Sequence, residues 1–164
     1  MAEIVKYGAG SLRKKAVPVT ETGEAALLIP EMLRAMHEHN GIGLAAPQIG
    51  VNLRIIVIDL GEGPLALVNP EIVEMSSEKE TLEEGCLSVP QVYVEVERAQ
   101  TVRVKGISLN GKPVELEARG FFARVLQHEI DHLDGILIVD RISFTKRQLL
   151  KRKLTEIAQT RREL

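Results

Sequence analysis

The chain has 164 residues and a mass of 18.1 kDa, the size of one domain, and at that length it can bury roughly 70% of its unfolded surface without covalent staples. Its 21 Lys and Arg nearly balance 23 Asp and Glu, for a net charge of −2, so there is no global drive toward nucleic acid. One cysteine, Cys86, permits no intrachain disulfide, and 3% aromatics with no Trp exclude a base-stacking surface and a disulfide scaffold alike.

Met1 to Gly10 carries Lys6 as its only base and has no long apolar run, which is unlike a signal peptide. No stretch approaches about 18 consecutive apolar residues, so no membrane span is expected and a cytoplasmic protein is. Charge is unevenly placed. Residues 144–164 hold a local +5 and the remainder −7. The end reads as an amphipathic helix with Leu150, Leu154 and Ile157 facing inward, whose basic side is either a solvated face or a docking site for an anionic partner.

Glu24 to Asn40 has helical periodicity through Ala25, Leu28, Met32 and Met36, with Pro30 as a start or a kink and Asn40-Gly41 as a stop. Strands are predicted at Arg54–Asp59, Leu65–Val68, Ile72–Met75, Val92–Glu97 and Thr101–Lys105. Ile107–Leu109 and Val114–Leu116 flank a hairpin signal at Asn110-Gly111. A largely buried helix follows, from about Gly120 to Asp134. Strands precede this helix and helices hold the two ends. The class is α+β, with mixed, mainly antiparallel sheets packed around a central helix and a C-terminal helix, in one domain over 1–164.

On that central helix lies His128-Glu129-Ile130-Asp131-His132, an H-E-x-x-H. Residues four apart share a helical face, so both imidazoles can reach one metal, with Glu129 beside them to manage protons. Two histidines leave a tetrahedral site short of a ligand. A downstream Glu or third His is poorly supplied: of these residue types only Glu156 and Glu163 follow His132, both on the basic end. Cys86, in Glu84-Gly85-Cys86-Leu87-Ser88-Val89-Pro90, is the better third ligand. A nucleophilic thiol paired with one histidine is the competing reading. Gly41-Ile42-Gly43-Leu44-Ala45-Ala46-Pro47-Gln48 reads as a glycine-rich loop that lets a substrate backbone approach, with the Gln48 amide as a candidate oxyanion donor.

In this order, those passages resemble peptide deformylase, whose three motifs appear as Gly41 to Gln48, Glu84 to Ser88 and Gln127-His128-Glu129-Ile130-Asp131-His132-Leu133-Asp134-Gly135. The resemblance spans nearly the whole chain. It implies a metal held by Cys86, His128 and His132, and Glu129 as general acid and base. It also implies an oxyanion hole from the Gln48 amide and the Leu87 backbone N–H. Backbone around Gly43 would align an extended substrate, and Ile42, Phe121, Val125 and Tyr93 would form the methionine pocket. The implied reaction is hydrolysis of the formyl group from N-formylmethionyl nascent peptides, releasing formate. The implied cofactor is one Fe²⁺ per chain, replaceable by Zn²⁺, Ni²⁺ or Co²⁺. Implied partners are the nascent peptides and, through the basic C-terminal helix, the ribosome, with neither a membrane nor a specific nucleic-acid sequence. Two positions depart from the family: Tyr93 stands where an Arg is frequent, and Pro30 falls in a helix that is otherwise continuous.

Two other readings are compatible with the sequence. A zincin-like peptidase shares H-E-x-x-H but wants a downstream Glu or His ligand. A non-catalytic metal- or nascent-chain-binding protein would not need Glu129.

Overall fold

The computed structural model describes residues 3–163. Helix α1 spans Thr22–Glu38 and carries Pro30 inside it. Its end is set by Asn40, which takes the left-handed conformation at φ 56°, a position where Asn is tolerated because its short side chain can bond locally. Strands β1 (Gly43–Ala45), β2 (Ile55–Asp59) and β3 (Pro64–Met75) follow, then β4 (Lys79–Cys86), β5 (Val89–Ala99), β6 (Thr101–Ile107) and β7 (Pro113–Arg119). Helix α2 runs Gly120–Leu133 and helix α3 runs Phe144–Glu163.

The five-stranded sheet has the order β1-β2-β3-β6-β7, and β4-β5 form a separate hairpin. Every pairing between these strands is antiparallel; a parallel contact occurs as the isolated bridge Val17–Leu53. Strand β2 is buried on both faces. Ile55 and Val57 meet Ile29, Met32 and Met36 of α1, while Ile56 and Ile58 meet Leu126, Ile130 and Leu133 of α2. A continuous apolar run with no wet face is what such a strand requires. The third cluster joins Val92, Val94 and Val96 of β5 to Leu137, Val139, Leu154 and Ile157. Fully burying each such aliphatic side chain stabilises the fold by about 1.5–3 kcal/mol. Helix α2 packs on the large sheet through the first of these clusters and reaches the β4-β5 hairpin through Arg124, which bonds Glu84 and the Val96 carbonyl.

Three local expectations change. Leu65–Val68 and Ile72–Met75 are one strand, not two. The Asn69-Pro70 break is absorbed as a register shift between Val68 and Glu71, with Asn69 at φ 52° and its side chain pairing both Val19 N–H (2.8 Å) and Val19 C=O (3.0 Å). Ile107 belongs to β6 and only Ser108–Lys112 form the turn. Acidic β4 is a strand that periodicity does not predict: it pairs with β5, with a register shift between Glu84 and Cys86. Glu80, Glu83 and Glu84 hide that strand from a hydrophobic pattern, and pairing with the alternating β5 creates it.

Candidate metal centre

Helix α2 brings His128 and His132 to one face, and the end of β4 brings Cys86 against them. One ligand atom from each of the three residues lies within 4.8 Å of the other two. Cys86 Sγ is 3.3 Å from His132 Nε2, and the two imidazole centroids are 5.2 Å apart. Among the described residues no other group of this kind forms.

The orientation of His128 follows from Glu84. Burial pushes the Glu84 carboxyl up, but the hydrogen bond from His128 and the Arg98 guanidinium bring it down to about 2. It is an acceptor only, so His128 Nδ1–H donates to Glu84 Oε1 at 2.9 Å and the Nε2 lone pair is left for the centre. Burial raises the Cys86 thiol, yet the attraction of His132 and His128 outweighs it and holds the thiol well below its usual value. A thiolate beside two imidazoles is the donor set of a borderline-soft divalent ion, and three protein donors leave one coordination position open. A Cys–His nucleophilic pair would use one histidine and leave the convergence of the second unexplained. The residues fit a metal.

Glu129 is 4% exposed, and burial raises its carboxyl above the ordinary value. Its Oε1 lacks any protein partner, as does His132 Nδ1. The other oxygen, Oε2, lies where a side chain at position 43 would stand: a Cβ on Gly43 would be 2.5 Å from it. The glycine serves the buried carboxylate first.

Gln48 sits in a 3₁₀ turn, Ala46–Ile49, that directly follows β1. Its Oε1 accepts from Ala45 N–H at 3.0 Å. The amide nitrogen is thereby turned toward Ser88 Oγ (3.1 Å) and Cys86 Sγ (3.7 Å). Leu87 and Ser88 form the two-residue turn between β4 and β5. The first and second motifs thus meet at Cys86, beside the two histidines.

A cavity of about 630 Å³ opens beside these groups. Ile42, Gly43, Tyr93, Phe121 and Val125 all line it, together with Gln48, Cys86, Leu87, His128 and Glu129. Val125 is buried, whereas Ile42, Phe121 and Tyr93 are exposed at its mouth. The Tyr93 ring lies over Gly85, with Cε1 2.9 Å from where a Cβ would be.

Four buried charges under the centre had no role in the sequence reading. Arg98 forms a two-pronged pair with Glu84, both bonds at 2.9 Å, and reaches Asp131 at 2.5 Å. Arg124 donates to Glu84 at 2.6 Å and to the carbonyls of Val96 and Glu80. Arg141 completes the chain at Asp131 with bonds of 2.7 and 3.0 Å. Periodicity carried signals for both buried arginines. Arg98 keeps the inward phase of Val92, Val94 and Val96, and Arg124 lies on the same i, i+4, i+8 stripe as the two histidines.

Comparison with known proteins agrees with this geometry. The family model described as polypeptide deformylase matches residues 1–148. A peptide deformylase of Thermotoga maritima is 49% identical over 161 residues, 98% of each chain, and one from Halothermothrix orenii is 52% identical over 143 residues, 85% of this chain and 92% of that one. The crystal structure of the peptide deformylase from Thermus thermophilus superposes with a TM-score of 0.93 at 38% identity, covering 98% of this chain and 99% of that one. With matches of this extent and the motifs brought together in space, the chain belongs to the polypeptide deformylase family.

Proposed function

We propose a division of labour in this chain, an enzyme that hydrolyses the formyl amide of N-terminal N-formylmethionine in nascent polypeptides and releases formate. Cys86, His128 and His132 hold one divalent metal. When bound it would supply Lewis acidity and lower the pKa of water toward neutral. Glu129, buried and with its carboxyl raised by that burial, accepts the proton of the attacking water and returns it to the departing nitrogen. Oxygen joins the formyl carbon, the C–N bond breaks, and the amine and formate leave. The Gln48 amide and the Leu87 N–H donate to the oxygen on which charge develops; each such donor is worth about 10²–10³ in turnover. Strand β1 ends the sheet, and a substrate lying along it in extended form places its methionine among Ile42, Phe121, Val125 and Tyr93.

The metal is Fe²⁺. The family resemblance supports it, and Zn²⁺, Ni²⁺ or Co²⁺ takes its place because affinity rises above that of iron along the first-row series. Residues 1–164 work as one domain, since α2 shares apolar clusters with the large sheet and α3 shares one with β5. The cytoplasm suits a single thiol used as a ligand, and no helix is long and apolar enough to cross a membrane among the described residues. The exposed Lys151 and Arg152 side of α3 docks at the ribosome. Because Leu154 and Ile157 are core residues, K151E/R152E is a cleaner probe than deleting the helix: it is expected to weaken salt-sensitive co-sedimentation, and unchanged co-sedimentation would remove the docking role.

The observation that carries the reading is the convergence of Cys86, His128 and His132 beside a buried Glu129. Formate release from formyl-Met-Ala-Ser by anaerobically purified protein, with metal content read on the same sample, tests it. Cleavage of internal peptide bonds with no formate released would replace it with a peptidase.

A further inference from the structure

The reaction creates an anion in an acidic place. At neutral pH the released formate is ionised, and Glu83, Glu84 and Glu129 all line the cavity where it forms. Two lysine or arginine residues line it as well, Lys6 and Arg124. Arg124 is spent on Glu84 and on the carbonyls of Val96 and Glu80. Lys6 has no carboxylate partner among the described residues.

Lys6 is held in position from both sides. Val5 N–H donates to Gln48 C=O at 2.7 Å and Tyr7 N–H donates to Ser88 C=O at 2.8 Å. The segment therefore bridges the two motifs that carry Gln48 and Leu87, with the Lys6 side chain between them. Its Nζ donates to Leu87 C=O at 3.2 Å. An ammonium has three donors and no acceptor, so the Leu87 bond leaves two for the cavity. Lys6 is half-buried, which strengthens an ionic hydrogen bond relative to one in water. Much of the ordering entropy of a long side chain is already spent.

We propose that Lys6 is a carboxylate-binding residue of the cavity and that its ligand is the formate product, an assignment that rests on the deformylase reading above. It gathers the anion as it separates from the amine and so sets how strongly formate is retained.

The test is calorimetric titration of sodium formate into the metal-loaded protein, at constant ionic strength with sodium chloride as the reference. Lys6→Met and Lys6→Gln are each expected to weaken formate binding about tenfold, the scale of one ionic hydrogen bond. Lys6→Arg is expected to retain most of it. The Gln variant keeps a donor for Leu87 C=O without the charge, so formate affinity preserved in Lys6→Gln would reduce Lys6 to a tether and overturn the proposal. Unchanged affinity in Lys6→Met would do the same. A KM increase confined to formyl-Met-Asp over formyl-Met-Ala, with formate binding intact, would assign the charge to substrate side chains and also overturn it. Hydrolysis of formyl-Met peptides by the unaltered protein is scored separately, so failure of the deformylase reading and failure of the Lys6 assignment are different results.

Discussion

Gly43 and Glu129 occupy each other's space: a Cβ on the first would sit 2.5 Å from Oε2 of the second, 3.0 Å from its carboxyl carbon and 3.1 Å from its Cγ. Three atoms of one side chain cannot all swing away cheaply from a buried position. Gly43→Ala is expected to displace the carboxylate and lower kcat by about 10²-fold, the scale of an ångström misplacement, while thermal stability moves little. A Gly43→Ala enzyme with full kcat would show that the Glu129 position is not constrained from this side.

Metal retention and turnover separate when the two roles are removed one at a time. Glu129→Ala is expected to keep its metal and lose about 10²–10⁴ of the rate, because Cys86, His128 and His132 are untouched. Cys86→Ala is expected to lose the metal itself. Elemental analysis of both variants, beside formate release, distinguishes them; a fully metallated Cys86→Ala protein would return the thiol to the role of core packing.

Glu84 couples the centre to the buried charges beneath it. Glu84, Asp131, Arg98 and Arg124 are all under 10% exposed, two carboxylates against two guanidiniums. Glu84→Gln removes one charge from this balance and turns the His128 acceptor neutral. A stability loss of about 3–5 kcal/mol is expected from the uncompensated guanidiniums. Metal affinity is expected to fall about 10–100-fold from the loosened imidazole. Chelator competition on folded protein reads the second effect apart from the first, and wild-type affinity there would refute the orienting role.

Asp140 supplies a pH signature remote from the candidate metal centre. It pairs with Arg13 and Arg147 and accepts from Leu137 N–H, tying the 3₁₀ turn Gly10–Arg13 to α3. Burial pushes its carboxyl up, but Arg13, the Leu137 N–H and Arg147 outweigh this and hold it below the ordinary 3.8. A carboxyl lowered on folding stabilises the protein above its unfolded value and loses that contribution as pH falls through the folded one. Asp140→Asn is therefore expected to cost about 1–2 kcal/mol at pH 7 and progressively less as pH drops below the ordinary carboxyl value of 3.8. Denaturant midpoints of both proteins across that range measure it, and a pH-independent difference would mean that the charge contributes nothing.

Much of this was legible in the chain itself. Helix α2 could be read because Val125, Leu126, Ile130 and Leu133 recur at helical spacing, although five of its ten buried residues are polar or charged. The alternation of β5 was equally plain, and motif order pointed to the family. Strand β4 was not legible, because an acidic strand on a two-stranded hairpin carries no apolar alternation and exists through its pairing with β5. Strand β3 read as two pieces because a left-handed Asn69 lets the ladder continue past Pro70, which local propensity cannot anticipate.

The size and charge that open the sequence now divide cleanly. The length allowed a core without covalent staples, and a single cysteine excluded an intrachain disulfide and left the Cys86 thiol free. Local periodicity set two histidines and a glutamate on one helix. Only the tertiary structure decided that Cys86 meets them, that Gly43 leaves room for Glu129, and that Lys6 reaches Leu87 across 81 positions of the chain. Those relationships are contacts between distant segments, fixed by how buried surfaces and charges close on one another, and no local pattern encodes them.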